Sequence, residues 1–564
     1  MNLLPKPRSV TELGGTVPDT QPRERTDPSI PSEGYRLTVS SDRVELAGGD
    51  EAGLFYGRAT LEQLRRLAPD GELPAVEIDD HPDNAVRGVM LDVSRDKVPK
   101  MGTLYALIDR LASLKLNHVQ LYTEHTFAYR DHEPVWRNAS PFTADEIREL
   151  AGFCRERHVT LTPNQNCLGH MERWLRHDRY LPLAISPDGW TDPLGRHHGP
   201  STLDPSNPRS LELARSLLAE LLPNFDAPWV HVGLDEPWEL GDDRLGEYTT
   251  YLRALRDAPE TRGLEMLVWG EILYYHPELL GDVPEGVSVC VWGYEATYPF
   301  QRYADRITGA GLPLWVCPGT SSWNTIGGRW TNARANLLQA AETATDARGY
   351  LVTDWGDSGH LQYLPVSEPP LAFAAAVSWC LERNQGLDVA PALDTHVFDD
   401  PAGELGAALL ALGDAYALVE PATPNMSALC LPLYFPEVSL GRRYTKRFTT
   451  EGFRGPDVDA VRSRLDDVRA MVGRSASRRP DASLVSNEIG CACDLLDVLC
   501  GDIDARVAGD GTIEAVDATT RTGLADRLAP LLDRHRELWL ARNRPGGLDD
   551  SVSVLGRVLD RYRT

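Results

Sequence analysis

Long apolar runs are missing from this sequence of 564 residues. The first residues, MNLLPKPRSVTELGG, contain no apolar core of the length that a signal peptide requires. No segment approaches the roughly 20 consecutive apolar residues that cross a bilayer as a helix. We therefore expect neither a secretory signal nor a membrane span, and we predict a cytoplasmic protein.

Basic residues are also scarce. Lysine and arginine together number 57, against 83 aspartate and glutamate residues, which gives a formal net charge of -26 at pH 7. An excess of negative charge repels phosphate backbones and anionic lipid headgroups. The charge therefore argues against nucleic acid and membrane surfaces as partners.

Cysteines are few and have no ordered spacing. There are 9 of them, scattered without the regular intervals of a disulfide framework, so we expect reduced thiols. Cys491 and Cys493 form a C-x-C pair, but no histidine or further cysteine nearby completes a metal-binding set. The sequence gives no reason to expect a metal ion or another cofactor.

The chain is too long for a single hydrophobic core, and its patterns change along its length. Residues 1–33 form a polar, proline-rich segment. Residues 34–83 combine period-two alternation with an apolar stretch at helical spacing that Asp50 can cap, which predicts a small α+β domain. Residues 84–383 alternate short apolar runs with helical stretches, and residues 384–564 predict a helical domain. The pattern leaves open whether this helical domain completes one side of a cleft or forms a homodimer interface.

Eight short apolar runs make up the middle of the chain. Near-continuous apolar strands separated by helices indicate a parallel sheet that is buried on both faces. Eight such strands over about 300 residues predict a closed (β/α)₈ barrel. The runs are VRGVMLDVS, HVQLYTE, VTLTPNQN, WVHVGLDE, MLVWGE, VSVCVWGYE, LPLWVCPG and YLVTDWGD.

The predicted barrel indicates where along each run functional residues should lie. Active sites of such barrels lie at the C-terminal ends of the strands, so the residues that close each run are candidate site residues. Tryptophan faces stack on the C–H faces of sugar rings, while carboxylates bind hydroxyl groups, so this lining indicates a carbohydrate ligand. The rim residues are Asp92, Glu124, Asn164, Asp235, Glu236, Trp269, Glu271, Trp292, Tyr294, Trp323, Trp355 and Asp357.

Two adjacent acids, Asp235 and Glu236, close the fourth run. In a glycosidase one carboxyl group protonates the leaving oxygen, and Glu236 suits that role. The end of strand seven, where a protein nucleophile is common, reads WVCPGTSSWN and has no acid. A 2-acetamido group of the substrate, oriented by Asp235, can attack instead, and Glu271 is an alternative nucleophile. A barrel that binds sugar without cleaving it is a third interpretation, although the costly acid pair argues against it.

The run HVGLDE resembles the His-x-Gly-x-Asp-Glu signature of family 20 β-N-acetylhexosaminidases. EAGLFYGRATLEQL resembles the end of that family's non-catalytic N-terminal domain, and VRGVMLDVSRDKVP resembles its first barrel strand. Together the similarities cover roughly residues 34 to 380. The resemblance implies an exo-acting, retaining enzyme in which the acetamido group of the substrate forms an oxazolinium intermediate. The choice between N-acetylglucosamine and N-acetylgalactosamine, and the aglycone, stay open.

The resemblance also implies roles for individual residues. Glu236 is the implied acid, and Asp235 stabilises charge on the acetamido nitrogen. Arg87 matches the arginine that holds hydroxyls at the non-reducing end. Apart from the resemblance, Asp92 and Arg95 can form a structural ion pair beneath the site instead of contacting substrate. The residues implied to bind substrate are Arg87, Glu124, His170, Trp269, Trp292, Trp355 and Asp357.

The end of strand seven departs from the family pattern. The family usually places a tyrosine there, which donates a hydrogen bond to the acetamido oxygen, and CPGTSSWNTIGG has none. Tyr294 on strand six, Trp323 or Asn324 could take its place, and we favour Tyr294.

Overall fold

The computed structural model describes residues 1–41, 43–68, 71–192, 195–419, 423–435 and 458–564 of the chain. A five-stranded mixed sheet near the N-terminus is followed by an eight-stranded parallel sheet and then by a helical region. The predicted fold class, a (β/α)₈ barrel with a small N-terminal α+β domain and a C-terminal helical domain, is confirmed.

The small domain consists of one sheet and one helix. Its elements are β1 (Ser9–Pro18), β2 (Arg23–Thr26), β3 (Tyr35–Ser40), β4 (Arg43–Gly48), α1 (Glu51–Leu67) and β5 (Glu72–Asp80). The strands are ordered β1-β5-β3-β4-β2, and α1 packs against β3 and β4. As predicted, the Asp50 carboxylate caps α1 by accepting a hydrogen bond from the Gly53 amide at 2.8 Å.

Residues 1–33 belong to this domain and are not a separate segment. Strand β1 pairs antiparallel with β5, and β2 pairs parallel with β4. The prediction that set residues 1–33 outside the α+β domain is therefore wrong. All four side chains of β2 and most of those of β1 are exposed, so neither strand has the apolar alternation by which a strand is recognised in a sequence.

The remaining strands build the barrel, apart from one short hairpin. In chain order they are β6 (Arg87–Asp92), β7 (His118–Tyr122), β8 (Thr160–Thr162), β9 (Trp190–Thr191), β10 (His197–His198), β11 (Trp229–His231), β12 (Glu265–Trp269), β13 (Val287–Trp292), β14 (Leu314–Cys317) and β15 (Gly349–Asp354). Strands β9 and β10 form the hairpin, and each of the other eight coincides with one of the predicted runs, although β12 and β15 begin one residue before theirs. The barrel closes between β8 and β11, where His231 donates to the Pro163 carbonyl and accepts from the Gln165 amide, both at 2.9 Å.

Helices alternate with the barrel strands and then continue to the C-terminus. Those up to the end of the barrel are α2 (Met101–Ser113), α3 (Glu133–Trp136), α4 (Ala144–Arg155), α5 (Glu172–Leu175), α6 (Pro208–Leu221), α7 (Leu245–Arg256), α8 (Glu271–Tyr275), α9 (Phe300–Gly309), α10 (Trp330–Thr343) and α11 (Leu364–Trp379). Those beyond it are α12 (Leu381–Asn384), α13 (Val389–His396), α14 (Leu405–Gly413), α15 (Leu431–Tyr434), α16 (Val458–Arg474), α17 (Ala482–Ala508), α18 (Ala518–Arg542) and α19 (Leu548–Arg563).

The helical region is fixed to the loop that follows β6 and to α4. The Lys100 amide donates to the Arg542 carbonyl at 2.9 Å, and the Arg544 amide donates to Val98 at 2.8 Å. The Arg544 guanidinium also pairs with Glu146 at 2.8 Å. Within the predicted helical domain, residues 420–422 and 436–457 lie outside the described residues.

Three further observations concern the cysteines, membrane-spanning helices and metal sites. All 9 cysteines are buried, and none is paired in a disulfide. Within the described ranges, no helix combines the length and the apolar character needed to cross a membrane. The same ranges contain no group of three or more histidine, cysteine, aspartate or glutamate side chains arranged to hold a metal ion.

Candidate active site

The loop after β11 carries the two acids on a strained backbone. Gly233, Leu234 and Glu236 have positive φ angles of 71°, 67° and 46°. Only glycine fits at position 233, because a Cβ there would lie 1.5 Å from the side-chain oxygen of Asn166. Leu234 and Glu236 adopt the left-handed region despite their side chains, a costly conformation that concentrates at functional sites. The loop thus holds Asp235 and Glu236 in one fixed arrangement.

His170 bridges the two acids. Its Nε2 atom lies 3.1 Å from Asp235 Oδ2 and 3.4 Å from Glu236 Oε2. Burial disfavours a charged imidazole, but the charge of Asp235 and the contacts with Asp235 and Glu236 together outweigh it and raise the pKa of His170 well above its ordinary value. Burial likewise favours a neutral Asp235, yet the His170 cation and Arg95 lower the pKa of that carboxyl. The His170 imidazolium and the Asp235 carboxylate therefore form a buried ion pair at neutral pH.

One carboxylate oxygen of Asp235 takes no part in this ion pair. Oδ1 is buried and has no hydrogen-bond partner among the described residues. Buried polar atoms are nearly always hydrogen-bonded in folded proteins, so an unpaired carboxylate oxygen marks a position where a ligand donor can bind. The site therefore offers a charged acceptor for one N–H or O–H group directly beside Glu236.

Glu271 supports the acid loop from the next strand. Its Oε1 atom accepts a hydrogen bond from the Glu236 amide at 2.7 Å, and its Oε2 atom accepts one from Trp292 Nε1 at 2.8 Å. Burial, together with the charge of Asp235, raises the pKa of Glu271 to about 8. Both carboxyl oxygens are thus engaged in positioning, which is a poor starting point for a nucleophile.

Aromatic side chains form a continuous wall around the acids. Trp292 and Tyr294 stack at a centroid distance of 5.3 Å, and Trp355 Nε1 donates to the Tyr294 hydroxyl at 2.7 Å. Trp269 packs against Trp355 at 5.8 Å and 50°. Trp323 is fully buried behind Tyr294, with its ring edge-on at 5.0 Å. Trp269, Trp292, Tyr294 and Trp355 therefore form the wall, and Trp323, which is as buried as Trp269, packs against Tyr294.

A cluster of carboxylates around Arg95 closes the other side of the site. The guanidinium lies 3.1 Å from Asp92, 3.6 Å from Glu124 and 3.8 Å from Asp357. It also stacks 4.8 Å above the ring of Trp355. Burial raises the pKa of Glu124 to about 7, against the opposing charge of Arg95, and burial also raises the pKa of Asp357. Arg95 therefore pairs with Asp92 as predicted, but it lies in the site and not beneath it.

Arg87 does not reach the site. It is the first residue of β6, at the opposite end of the barrel, and is completely buried. Its guanidinium donates to the carbonyl oxygens of Lys115 and Asn84 at 2.8 and 2.7 Å and pairs with Glu33 at 2.7 Å. The assignment of Arg87 to the sugar site is wrong, because Arg87 ties the barrel to the small domain.

Position along the strand could have identified the correct arginine. Arg95 follows the C-terminal end of β6, where the sites of these barrels lie, whereas Arg87 begins the strand. No feature of the sequence predicts the hydrogen bonds that Glu271 accepts, since they depend on the path of the acid loop. The predicted site residues that the structure brings together are Glu124, His170, Asp235, Glu236, Trp269, Trp292, Tyr294, Trp355 and Asp357.

Two family models match the chain, and together they cover the small domain and most of the barrel. The family model "Glycosyl hydrolase family 20, catalytic domain" matches residues 85–323, and the model "Glycosyl hydrolase family 20, domain 2" matches residues 4–81. The second match includes most of the N-terminal segment that the sequence alone had set apart.

Relatives and solved structures give a similar picture. A beta-hexosaminidase of Akkermansia muciniphila is 28% identical over 264 residues, which are 42% of this chain and 52% of the relative. A beta-N-acetylhexosaminidase of Cellulomonas fimi is 27% identical over 339 residues, covering 56% and 64% of the two chains. The chain thus spans about half to two thirds of the length of these relatives. The solved GH20 beta-N-acetylhexosaminidase of Streptomyces coelicolor has a TM-score of 0.55 at 18% identity, covering 73% of this chain and 96% of that one, which supports the fold.

Proposed function

Because the chain belongs to glycoside hydrolase family 20, we propose that it is an exo-acting β-N-acetylhexosaminidase, which removes terminal non-reducing N-acetylhexosamine with retention of configuration. The observation that carries this proposal is the unpaired, charged Asp235 Oδ1 atom beside the candidate general acid Glu236. A carboxylate in that position can accept the N–H of a 2-acetamido group, which a plain hexose lacks.

In the proposed reaction the substrate supplies its own nucleophile. The acetamido oxygen attacks C1 while the bond from C1 to the aglycone oxygen breaks, and Glu236 gives its proton to the departing oxygen. The resulting oxazolinium ion has positive charge on nitrogen, next to the Asp235 carboxylate. Water then attacks C1 and gives a proton to Glu236, so the sugar leaves with its original configuration.

The surrounding residues fit this chemistry. The wall formed by Trp269, Trp292, Tyr294 and Trp355 would enclose the acetamido group and the ring, and it excludes water from the reacting atoms. The bond from Trp355 uses an acceptor position of the Tyr294 hydroxyl, which leaves its proton to donate to the acetamido oxygen. Tyr294 is therefore our candidate for the tyrosine that strand seven lacks.

The cluster around Arg95 accounts for the exo action. Arg95, Glu124 and Asp357 lie on the side of the site away from Glu271, and together they present donors and acceptors for the outer hydroxyls of a terminal sugar. We infer that this cluster closes the non-reducing end of the site to a longer chain. A homodimer interface stays one of the two open interpretations of the helical domain, and the cytoplasmic location stays a prediction from the sequence.

A panel of aryl glycosides tests the proposed specificity. We expect hydrolysis of the β-N-acetylglucosaminide, the β-N-acetylgalactosaminide or both, and on the order of 10³-fold or more slower hydrolysis of the plain β-glucoside, because the latter has neither nucleophile nor N–H donor. Initial rates of phenol release give kcat/KM for each substrate. Comparable rates on the plain glucoside would favour a protein nucleophile such as Glu271, and binding without cleavage of any of them would favour a sugar-binding barrel.

Arginine variants test the reassignment from Arg87 to Arg95. We expect Arg95→Met to lower kcat/KM about 10- to 100-fold, because a charged hydrogen-bonding group facing the sugar is lost. Arg87→Met should instead destabilise the protein by about 3 kcal/mol, because it leaves buried carbonyl oxygens without a donor.

Thermal unfolding and steady-state kinetics separate these two effects. Arg87→Lys provides a milder variant if Arg87→Met does not fold. A folded Arg87 variant with the kinetic defect expected for Arg95→Met would contradict the reassignment.

A further inference from the structure

Trp238 has no part in the site described above. It lies two residues after Glu236 and is 55% exposed, which places it among the most exposed large apolar side chains of the described chain. Single exposed apolar residues are common on protein surfaces and need no explanation by themselves. The position of Trp238 on the acid loop is what gives its exposure a meaning.

The acid loop is anchored on both sides of Trp238. Before it, the Glu236 amide is bound by Glu271 at 2.7 Å. After it, the Glu239 carboxylate accepts hydrogen bonds from the amides of Ser201 and Thr202 at 2.7 and 3.1 Å. The Trp238 amide itself donates to the Glu236 carbonyl at 2.7 Å. The indole is therefore presented on a rigid backbone, and little conformational freedom is lost when a ligand binds to it.

Exposure along the loop shows its direction. Asp235 is buried, the Glu236 side chain is 28% exposed, and Trp238 lies out in solvent. The loop thus runs from the enclosed pocket outwards past the general acid. An acid that protonates the leaving oxygen must face the aglycone, so the aglycone lies on the exposed side of Glu236. Trp238 is the first large exposed side chain that follows Glu236 along the loop.

We propose that Trp238 is the platform for the aglycone, and that the aglycone is a pyranose ring. This inference rests on the proposed function. An indole face matches the C–H face of a pyranose in size and polarity, and stacking needs no particular set of hydroxyl groups. The natural substrates are then oligosaccharides or glycans, recognised at the aglycone by ring shape and not by the identity of one sugar.

Two aglycones of different size test this role. Wild type, Trp238→Ala and Trp238→Phe are compared on the methyl β-N-acetylhexosaminide and on the β-linked N-acetylhexosamine disaccharide with the same terminal sugar. A methyl group is too small to stack, whereas a second sugar can. We expect Trp238→Ala to lower kcat/KM on the disaccharide about fivefold to tenfold. The ratio of kcat/KM on the disaccharide to kcat/KM on the methyl glycoside should fall by the same factor, and Trp238→Phe should give an intermediate ratio.

Tyr275→Ala is the matched control. Tyr275 is 56% exposed, ends α8 and packs edge-on against Tyr303 of α9, so both substrates should be hydrolysed as by wild type. An equal loss on both substrates in Trp238→Ala would mean that Trp238 only supports the acid, and no loss on either would mean that it does not touch the aglycone; both outcomes overturn the proposal. A wild-type protein inactive on both substrates would instead refute the proposed function.

Discussion

Glu236→Gln should lower kcat/KM for an unactivated disaccharide about 10²- to 10⁴-fold, the contribution of a positioned general acid. The loss should be much smaller for an aryl glycoside with a good phenolate leaving group, because such a group departs without protonation. Glutamine keeps the shape of the side chain and cannot donate a carboxylic proton, so the loop should retain its structure. Rates on a series of aryl glycosides of decreasing leaving-group pKa, together with the disaccharide, give the dependence directly.

Asp242→Asn is the matched control for this variant. Asp242 is an exposed carboxylate shortly after the acid loop, and its substitution makes the same carboxyl-to-amide change outside the site. We expect wild-type rates from it on every substrate. Near wild-type hydrolysis of the disaccharide by folded Glu236→Gln would remove Glu236 from the role of acid.

Asp235→Asn should lower kcat about 10²- to 10³-fold with little change in KM, because the lost interaction strengthens only as positive charge develops on the acetamido nitrogen. A thiazoline fused to the sugar resembles the oxazolinium ion, so it should bind wild type much more tightly than the free sugar does. The variant should lose most of this tight binding. Inhibition constants for the thiazoline and for the free sugar, measured on both proteins, provide the comparison.

The alternative with Glu271 as nucleophile predicts different results. A 2-deoxy-2-fluoro glycoside would then trap a covalent intermediate, and mass spectrometry would find the added sugar on the peptide that contains Glu271. The thiazoline would be a weak inhibitor of wild type, and Asp235→Asn would not change its binding. The hydrogen bonds from Glu236 and Trp292 to both oxygens of Glu271 lead us to expect no such labelling.

The barrel could be predicted from the sequence because its strands are buried on both faces. Strand β13, for example, is apolar over nearly its whole length, and such a run followed by a helical stretch has few other interpretations. The rule that sites lie at the C-terminal ends of strands then selected most of the residues that the structure brings together. Strands β1 and β2 could not be predicted in this way, because they join the sheet through backbone hydrogen bonds while their side chains remain in solvent.

Within the site, motif matching and geometry gave different answers. Arg87 was assigned from a resemblance of the surrounding strand, although its place at the start of β6 puts it at the wrong end of the barrel. Glu271 was correctly placed near the acids, but a sequence cannot show that its two oxygens bind the Glu236 amide and the Trp292 indole. Hydrogen bonds of this kind depend on the path of loops, which periodicity does not describe.

The closure of the barrel has a consequence for how the site forms. His170 follows β8 and the acid pair follows β11, and these two strands meet only where the cylinder shuts. Next to His170, Gly169 packs so closely on the acid loop that a Cβ there would lie 2.1 Å from the Asp235 carbonyl. The ion pair of His170 with Asp235 thus links the segments that follow the first and last strands of the sheet, where the barrel closes. An open barrel would contain every catalytic group and still have no active site.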